Sequence, residues 1–161
     1  GRIGQAVAKY AIGNGMRVYA YDPYITTATI KIDFFDGSSK EFQIASTPIN
    51  EFIGNCDFIT LHVPGGEVIG EKEIALMKDG VMLINAARGG VINETALLNA
   101  LNSGKVACAA LDVFNNEPTP DGALLTHPKI SLTPHTGAST KEAQLRIGTE
   151  LAQIIIDFFK K

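Results

Sequence analysis

Apolar positions along the chain switch repeatedly between helical spacing and short β-rich runs, with glycine or asparagine at the joints, the pattern of an α/β domain. Ile3, Val7 and Ala11 recur on one helical face. Gly13 and Gly15 stop that helix, and Arg17 to Tyr21 reads as a strand ending at Asp22. Ile30, Ile32 and Phe34 alternate with Lys31 and Asp33, and Asp36-Gly37 supplies a turn. Phe42 and Ile44 then alternate with Glu41 and Gln43, so an inserted β-hairpin is expected over residues 30–44.

Further strands are predicted at 58–63, 81–86, 106–111 and 130–132. The second and third of these are apolar enough to be covered on both faces of a parallel central sheet. Helices are predicted at 70–78 and 94–102, the latter starting after Asn93 as N-cap and stopping at Gly104. The last helix, about 139–160, begins at Ser139, which forms a capping box with Glu142. Ala143, Ile147, Leu151, Ile154, Phe158 and Phe159 give it a long apolar face, so it is expected to lead towards a second domain.

A length of 161 residues with 45% hydrophobic content suffices for one buried core. Charged residues make up 19%, the net charge is -3, and no basic run tracks a phosphate backbone, so nucleic acid is not an expected partner. Stretches such as Val81 to Ala87 are too short to span a bilayer, and no targeting segment opens the chain, so no membrane partner is expected. Cys56 and Cys108 lie near predicted strands without CxxC spacing. They read as buried reduced thiols, with no metal site, and fit a cytoplasmic protein.

Gly1-Arg2-Ile3-Gly4 opens a helix, is followed by a strand, and meets Asp22 about 20 residues on, as a dinucleotide fingerprint lacking its first glycine. Glycine at position 1 admits a pyrophosphate, glycine at position 4 lets helix and strand pack closely, and the helix N-terminus offers free N–H groups. Asp22 would accept from ribose hydroxyls and repel a 2′-phosphate, which favours NAD over NADP. The expected fold is a Rossmann-type doubly wound, mainly parallel sheet carrying the inserted hairpin, with residues 1–161 forming one NAD(P)-binding domain. The strand before the fingerprint would lie mid-sheet. Since unpaired buried backbone groups cost about 1–3 kcal/mol each, the natural protein is expected to be longer.

Three segments carry candidate chemistry: Asn85 to Gly90, Asn115 to Pro118, and Thr133 to Thr140. Each follows a predicted strand, and ligands of open α/β sheets bind beyond the carboxyl ends of the strands. Arg88 could grip a carboxylate with two hydrogen bonds, His135 could trade a proton near neutral pH, and Glu117 could orient the imidazole. His62 reads as structural or adenine-adjacent, and His127 before Pro128 as an exposed turn residue.

Ala87-Arg88-Gly89-Gly90-Val91-Ile92-Asn93-Glu94, Ala109 to Phe114, Asn116-Glu117-Pro118 and His135-Thr136-Gly137-Ala138 together resemble the D-2-hydroxyacid dehydrogenase family over nearly the whole chain. Within it, the run from Met77 to Pro118 is most similar to members acting on 3-phospho-D-glycerate. The resemblance implies an NAD-dependent oxidoreductase of a small 2-hydroxy or 2-oxo acid. Arg88 would bind the substrate carboxylate, His135 would be the general acid and base, and Glu117 its carboxylate partner. It also implies that Gly1, Arg2, Ile3, Gly4, Asp22, Val63, Pro64, Ala86, Ala87, Arg88, Asp112, His135, Gly137 and Ala138 line the cofactor. Asp112 would lie near the nicotinamide and Arg2 with Ile3 at the pyrophosphate. A homodimer through the cofactor domain is the family expectation, as is a substrate domain outside this chain, without which the isolated chain would be inactive. The chain departs from the family where Gly65-Gly66-Glu67 replaces a longer threonine-bearing loop, and in the extra hairpin. Other members acting on glycerate, hydroxypyruvate or lactate remain open, as does an NAD-sensing protein of the same fold.

Overall fold

The computed structural model describes residues 1–160. Helix α1 (Arg2–Gly13) starts directly at the chain's first glycine. The hairpin follows as β1 (Thr27–Asp33) and β2 (Ser39–Ala45), antiparallel in the register Thr27 opposite Ala45 and Asp33 opposite Ser39. Its turn is set by Asp36, whose Oδ1 accepts the Ser38 N–H at 2.9 Å, and by Gly37 at φ 82°. Ile30 is buried, β1 packs on α1, and Asp33 pairs with Lys9 (3.3 Å) and Lys31 (3.0 Å).

The short helix α2 (Ile49–Phe52) and a 3₁₀ turn (Ile53–Asn55) lead to β3 (Phe58–Leu61). Then α3 (Glu71–Leu76), β4 (Val81–Asn85), α4 (Glu94–Ser103), β5 (Val106–Leu111), α5 (Gly122–Leu125) and β6 (Ile130–Leu132) alternate. The four strands form a parallel sheet in the order β3-β4-β5-β6, so each helix carries the chain to the neighbouring strand. Leu97 and Leu101 of α4, Val81 and Leu83 of β4, and Val106 and Leu111 of β5 are enclosed in one core with Ile74 and Met77.

Asn93 caps α4, its Oδ1 accepting the Ala96 N–H at 3.0 Å, and Gly104 ends that helix at φ 84°. Asn93→Ala is therefore expected to cost about 1 kcal/mol, read as a lower denaturant midpoint. An unchanged midpoint would show the cap to be worth nothing here.

Several expectations need correction. Arg17 to Tyr21 is not a ladder strand; Ala20 makes one parallel bridge to Ser46, because no described strand runs beside this segment for its length. In β4, Val81, Leu83 and Asn85 are buried while Met82 and Ile84 are half-buried. One face of β4 is therefore fully buried and the other half-buried, since apolar composition permits burial without supplying the whole of the covering layer. Both cysteines are free thiols but only half-buried. The cap of α6 (Lys141–Phe159) is Thr140, not Ser139: Thr140 Oγ1 accepts the Ala143 N–H at 3.1 Å, and the Ser139 hydroxyl instead donates to the His135 carbonyl. On α6, Leu145, Ile147, Leu151, Ile154, Phe158 and Phe159 are exposed. No described helix is long and apolar enough to cross a membrane.

Candidate active site

The loops after β4, β5 and β6 emerge from three adjacent parallel strands, about 4.8 Å apart, and carry Arg88, Glu117 and His135 on one edge of the sheet. Of these, Glu117 and His135 are in direct contact: Glu117 Oε2 lies 2.6 Å from His135 Nδ1. The other carboxylate oxygen accepts the Phe114 N–H at 2.9 Å, so Glu117 is held from both sides. The histidine hydrogen bond, followed by that from Phe114, holds the Glu117 carboxyl below its usual range.

A carboxylate at Nδ1 selects the tautomer that leaves Nε2 directed away from Glu117. His135 itself sits at φ 53°, a left-handed conformation a non-glycine residue adopts only when its surroundings impose it. Asp112 imposes it. Its buried carboxylate accepts the Thr133 hydroxyl (2.6 Å) and the Thr136 N–H (2.8 Å) on Oδ1, and the Gly137 N–H (3.0 Å) on Oδ2. Burial works against ionisation of Asp112, but these three donors outweigh it and the carboxyl stays below its ordinary pKa.

Arg88 lies on the turn after β4. Its guanidinium donates to the Ala87 carbonyl at 2.6 Å, leaving the side chain exposed. Gly89 presses so closely on the next loop that a Cβ there would overlap the Phe114 carbonyl, and Glu94 Oε1 accepts the Asn115 N–H at 2.8 Å. The Arg88 turn and the Glu117 loop thus form one interlocked body.

The fingerprint residues gather at the start of α1. Asp22 Oδ2 lies 3.0 Å from the Gly1 amino group, and Oδ1 accepts the Tyr24 N–H at 2.9 Å. That backbone donor lowers the Asp22 pKa. Gly4 lies against His62, with an added Cβ 3.8 Å from the His62 Cβ, while Gly1 faces open space. Arg2 pairs with Glu150 at 3.2 Å, and Ile3 is exposed. Burial lowers the His62 pKa. Val63 packs on the core edge and Pro64 is exposed; Ala86 and Ala138 are exposed and Ala87 is buried. His127 is half-buried rather than an exposed turn residue, since Asn102 (3.3 Å) and the Lys129 N–H (3.2 Å) engage its ring.

Residue patterns assigned no individual role to three supporting groups: Asn85 and Thr133, which open two of the candidate segments, and Ser46. Asn85 gave a signal, as a polar residue ending the apolar run Val81 to Ile84. The hydroxyls of Thr133 and Ser46 gave no sign of these contacts, because their partners are distant in sequence. The Ser46 hydroxyl donates to the Asp22 carbonyl and accepts the Asp22 N–H, both at 2.9 Å.

Among known proteins, the family described as the NAD-binding domain of D-isomer specific 2-hydroxyacid dehydrogenases matches residues 1–137, and the chain belongs to it. It is similar to the D-3-phosphoglycerate dehydrogenase of Methanocaldococcus jannaschii, at 46% identity over 96% of this chain and 29% of that protein. It is also similar to the D-3-phosphoglycerate dehydrogenase of Bacillus subtilis, at 42% identity over 99% of this chain and 30% of that protein. Among solved structures, the D-lactate dehydrogenase of Aquifex aeolicus complexed with NAD and lactic acid superposes with a TM-score of 0.75. It shares 32% identity, with 99% of this chain and 51% of that one covered. The chain thus spans about three-tenths of the length of these two curated relatives.

Proposed function

We propose that the full-length protein carrying this chain is an NAD-dependent D-2-hydroxyacid dehydrogenase that oxidises 3-phospho-D-glycerate to 3-phosphohydroxypyruvate in serine biosynthesis. Its chemistry rests on one observation above all, the Glu117–His135 pair beside the Arg88 turn on adjacent strand ends. The choice of substrate rests on the likeness to D-3-phosphoglycerate dehydrogenases.

The chain's residues fit NAD. The open face at Gly1, the first-turn N–H groups of α1 and the Asp22 carboxylate together offer donors for a pyrophosphate and an acceptor for ribose hydroxyls. Val63, Pro64, Ala86, Ala87, Gly137 and Ala138 would line the rest of the site, with Asp112 at its nicotinamide end. When bound, NAD supplies the ring that accepts or returns the C2 hydride. Arg88 swings from the Ala87 carbonyl to clamp the substrate carboxylate. His135 Nε2 takes the proton of the C2 hydroxyl in oxidation and gives it back in reduction, while Glu117 holds the ring and stabilises its charged form.

Residues 1–161 form the cofactor domain, and α6, with its exposed apolar stripe, leads towards the substrate domain. The assembly is a cytoplasmic homodimer joined through cofactor domains.

Rate assays on the full-length protein test this reading, with 3-phosphohydroxypyruvate and hydroxypyruvate as substrates and NADH and NADPH as donors. Strong preference for the phosphorylated acid and for NADH is expected. Preference for the unphosphorylated acid would move the protein to another member of the family, equal rates with NADPH would sink the role of Asp22, and no reaction would favour an NAD sensor.

A further inference from the structure

Asn85 closes β4 and is only 3% exposed; with Asp112 it is one of two buried polar residues in the described core. Both ends of its amide are used on the turn that follows. Oδ1 accepts the Ala87 N–H at 3.1 Å, and Nδ2 donates to the Arg88 carbonyl at 3.0 Å. These groups bracket Arg88 along the chain, so they fix the direction in which its side chain leaves the backbone. The opposite side of the turn is closed by Gly89 against the Phe114 carbonyl. The Asn85 backbone carbonyl also accepts the Asp112 N–H at 2.9 Å, tying the turn to β5.

We propose that Asn85 is the positioning residue for Arg88, setting the angle at which the guanidinium meets the substrate carboxylate. The assignment rests on the reading of Arg88 as the carboxylate clamp. Stability alone would favour leucine here, continuing the run Val81, Met82, Leu83, Ile84, because a buried amide gains its place only by being fully hydrogen-bonded. Asparagine has the length and the donor–acceptor pair the turn requires. Aspartate would keep the bond to Ala87 but set a negative oxygen against the Arg88 carbonyl, and serine offers a single hydroxyl in place of the amide's paired donor and acceptor.

Small misplacements of a clamping group cost rate out of proportion to their size, up to about 100-fold for 1 Å. In the full-length protein, Asn85→Leu is expected to raise the KM for the 2-oxo acid by about tenfold or more. The KM for NADH should change much less, and the acid–base limb of the pH profile should stay in place, because the Glu117–His135 pair is untouched. In an Arg88→Ala background the same change should add less than about twofold, since a residue acting through Arg88 has nothing left to position. Asn85→Asp should shift the oxo-acid KM in the same direction and decides the question alone if the leucine variant does not fold. Equal rises in both KM values, a full additional loss in the Arg88→Ala background, or unchanged kinetics with a lowered melting temperature would each overturn the proposal. An oxo-acid KM unaffected by Arg88→Ala itself would overturn the clamp reading instead.

Discussion

Full-length protein with His135→Ala is expected to lose about 10²- to 10⁴-fold in kcat in both directions, the range for removing a positioned general acid and base. In the proposed reaction the C2 oxygen loses a proton in oxidation and regains it in reduction, and His135 Nε2 would be left for that task because Nδ1 is engaged by Glu117 at 2.6 Å. Steady-state turnover of the variant settles it, and near-normal rates would remove the role. The pair also has a pH dependence of defined sign. The Glu117 carboxyl is held below its ordinary pKa, first by His135 and then by the Phe114 N–H, so its contribution to the ordered loop is fully present above the usual carboxylate range. That contribution is lost as pH falls through the lowered value. Glu117→Gln should therefore erase any acid-side loss that belongs to this carboxyl.

Gly89→Ala should be the most damaging single-methyl change around the site. A Cβ at Gly89 would occupy the position of the Phe114 carbonyl, a backbone group that cannot turn aside as a side chain can. Either the Arg88 turn or the Glu117 loop must then shift. Overpacking of this kind costs about 1–3 kcal/mol, and displacement of both loops should depress kcat/KM far more than the stability loss alone would. Gly13→Ala, where an added Cβ meets open space at ordinary φ, is the control expected to leave both readings near wild type. A Gly89→Ala protein with unchanged melting temperature and rate would mean that the two loops have slack between them.

The elements most legible in the sequence were those whose signals are local. The alternation around Ile30 and Phe42 with Asp36-Gly37 between, and the Asn93 cap with Gly104 beyond, each depend on neighbours within a few residues. Arg17 to Tyr21 misled because strand-like composition says nothing of whether a pairing strand lies alongside. Ser139 misled because Ser139 and Thr140 are both good caps, and the backbone decides which oxygen faces the free N–H groups. Arg88, Glu117 and His135 could be named because each follows an apolar strand run. The fastening beneath them could not: Asp112 reaches residues 21 to 25 positions away, and Gly89 meets Phe114 across two strands. Such contacts are set by sheet order, which no local pattern contains.

The ribbon formed by β1 and β2 is anchored at its base, where Ala20 bridges Ser46 and the Ser46 hydroxyl grips the Asp22 backbone, and along β1, where Ile30 is buried and Asp33 pairs with Lys9 of α1. Its far end, Phe34 to Ser38, projects with Phe35 fully exposed. Residues added or removed in matched pairs at that end would lengthen or shorten both strands without altering the register at the base. The ribbon therefore separates two evolutionary regimes within about twenty residues: a tip free to drift in length and sequence, and a root where a single slip would displace Asp22.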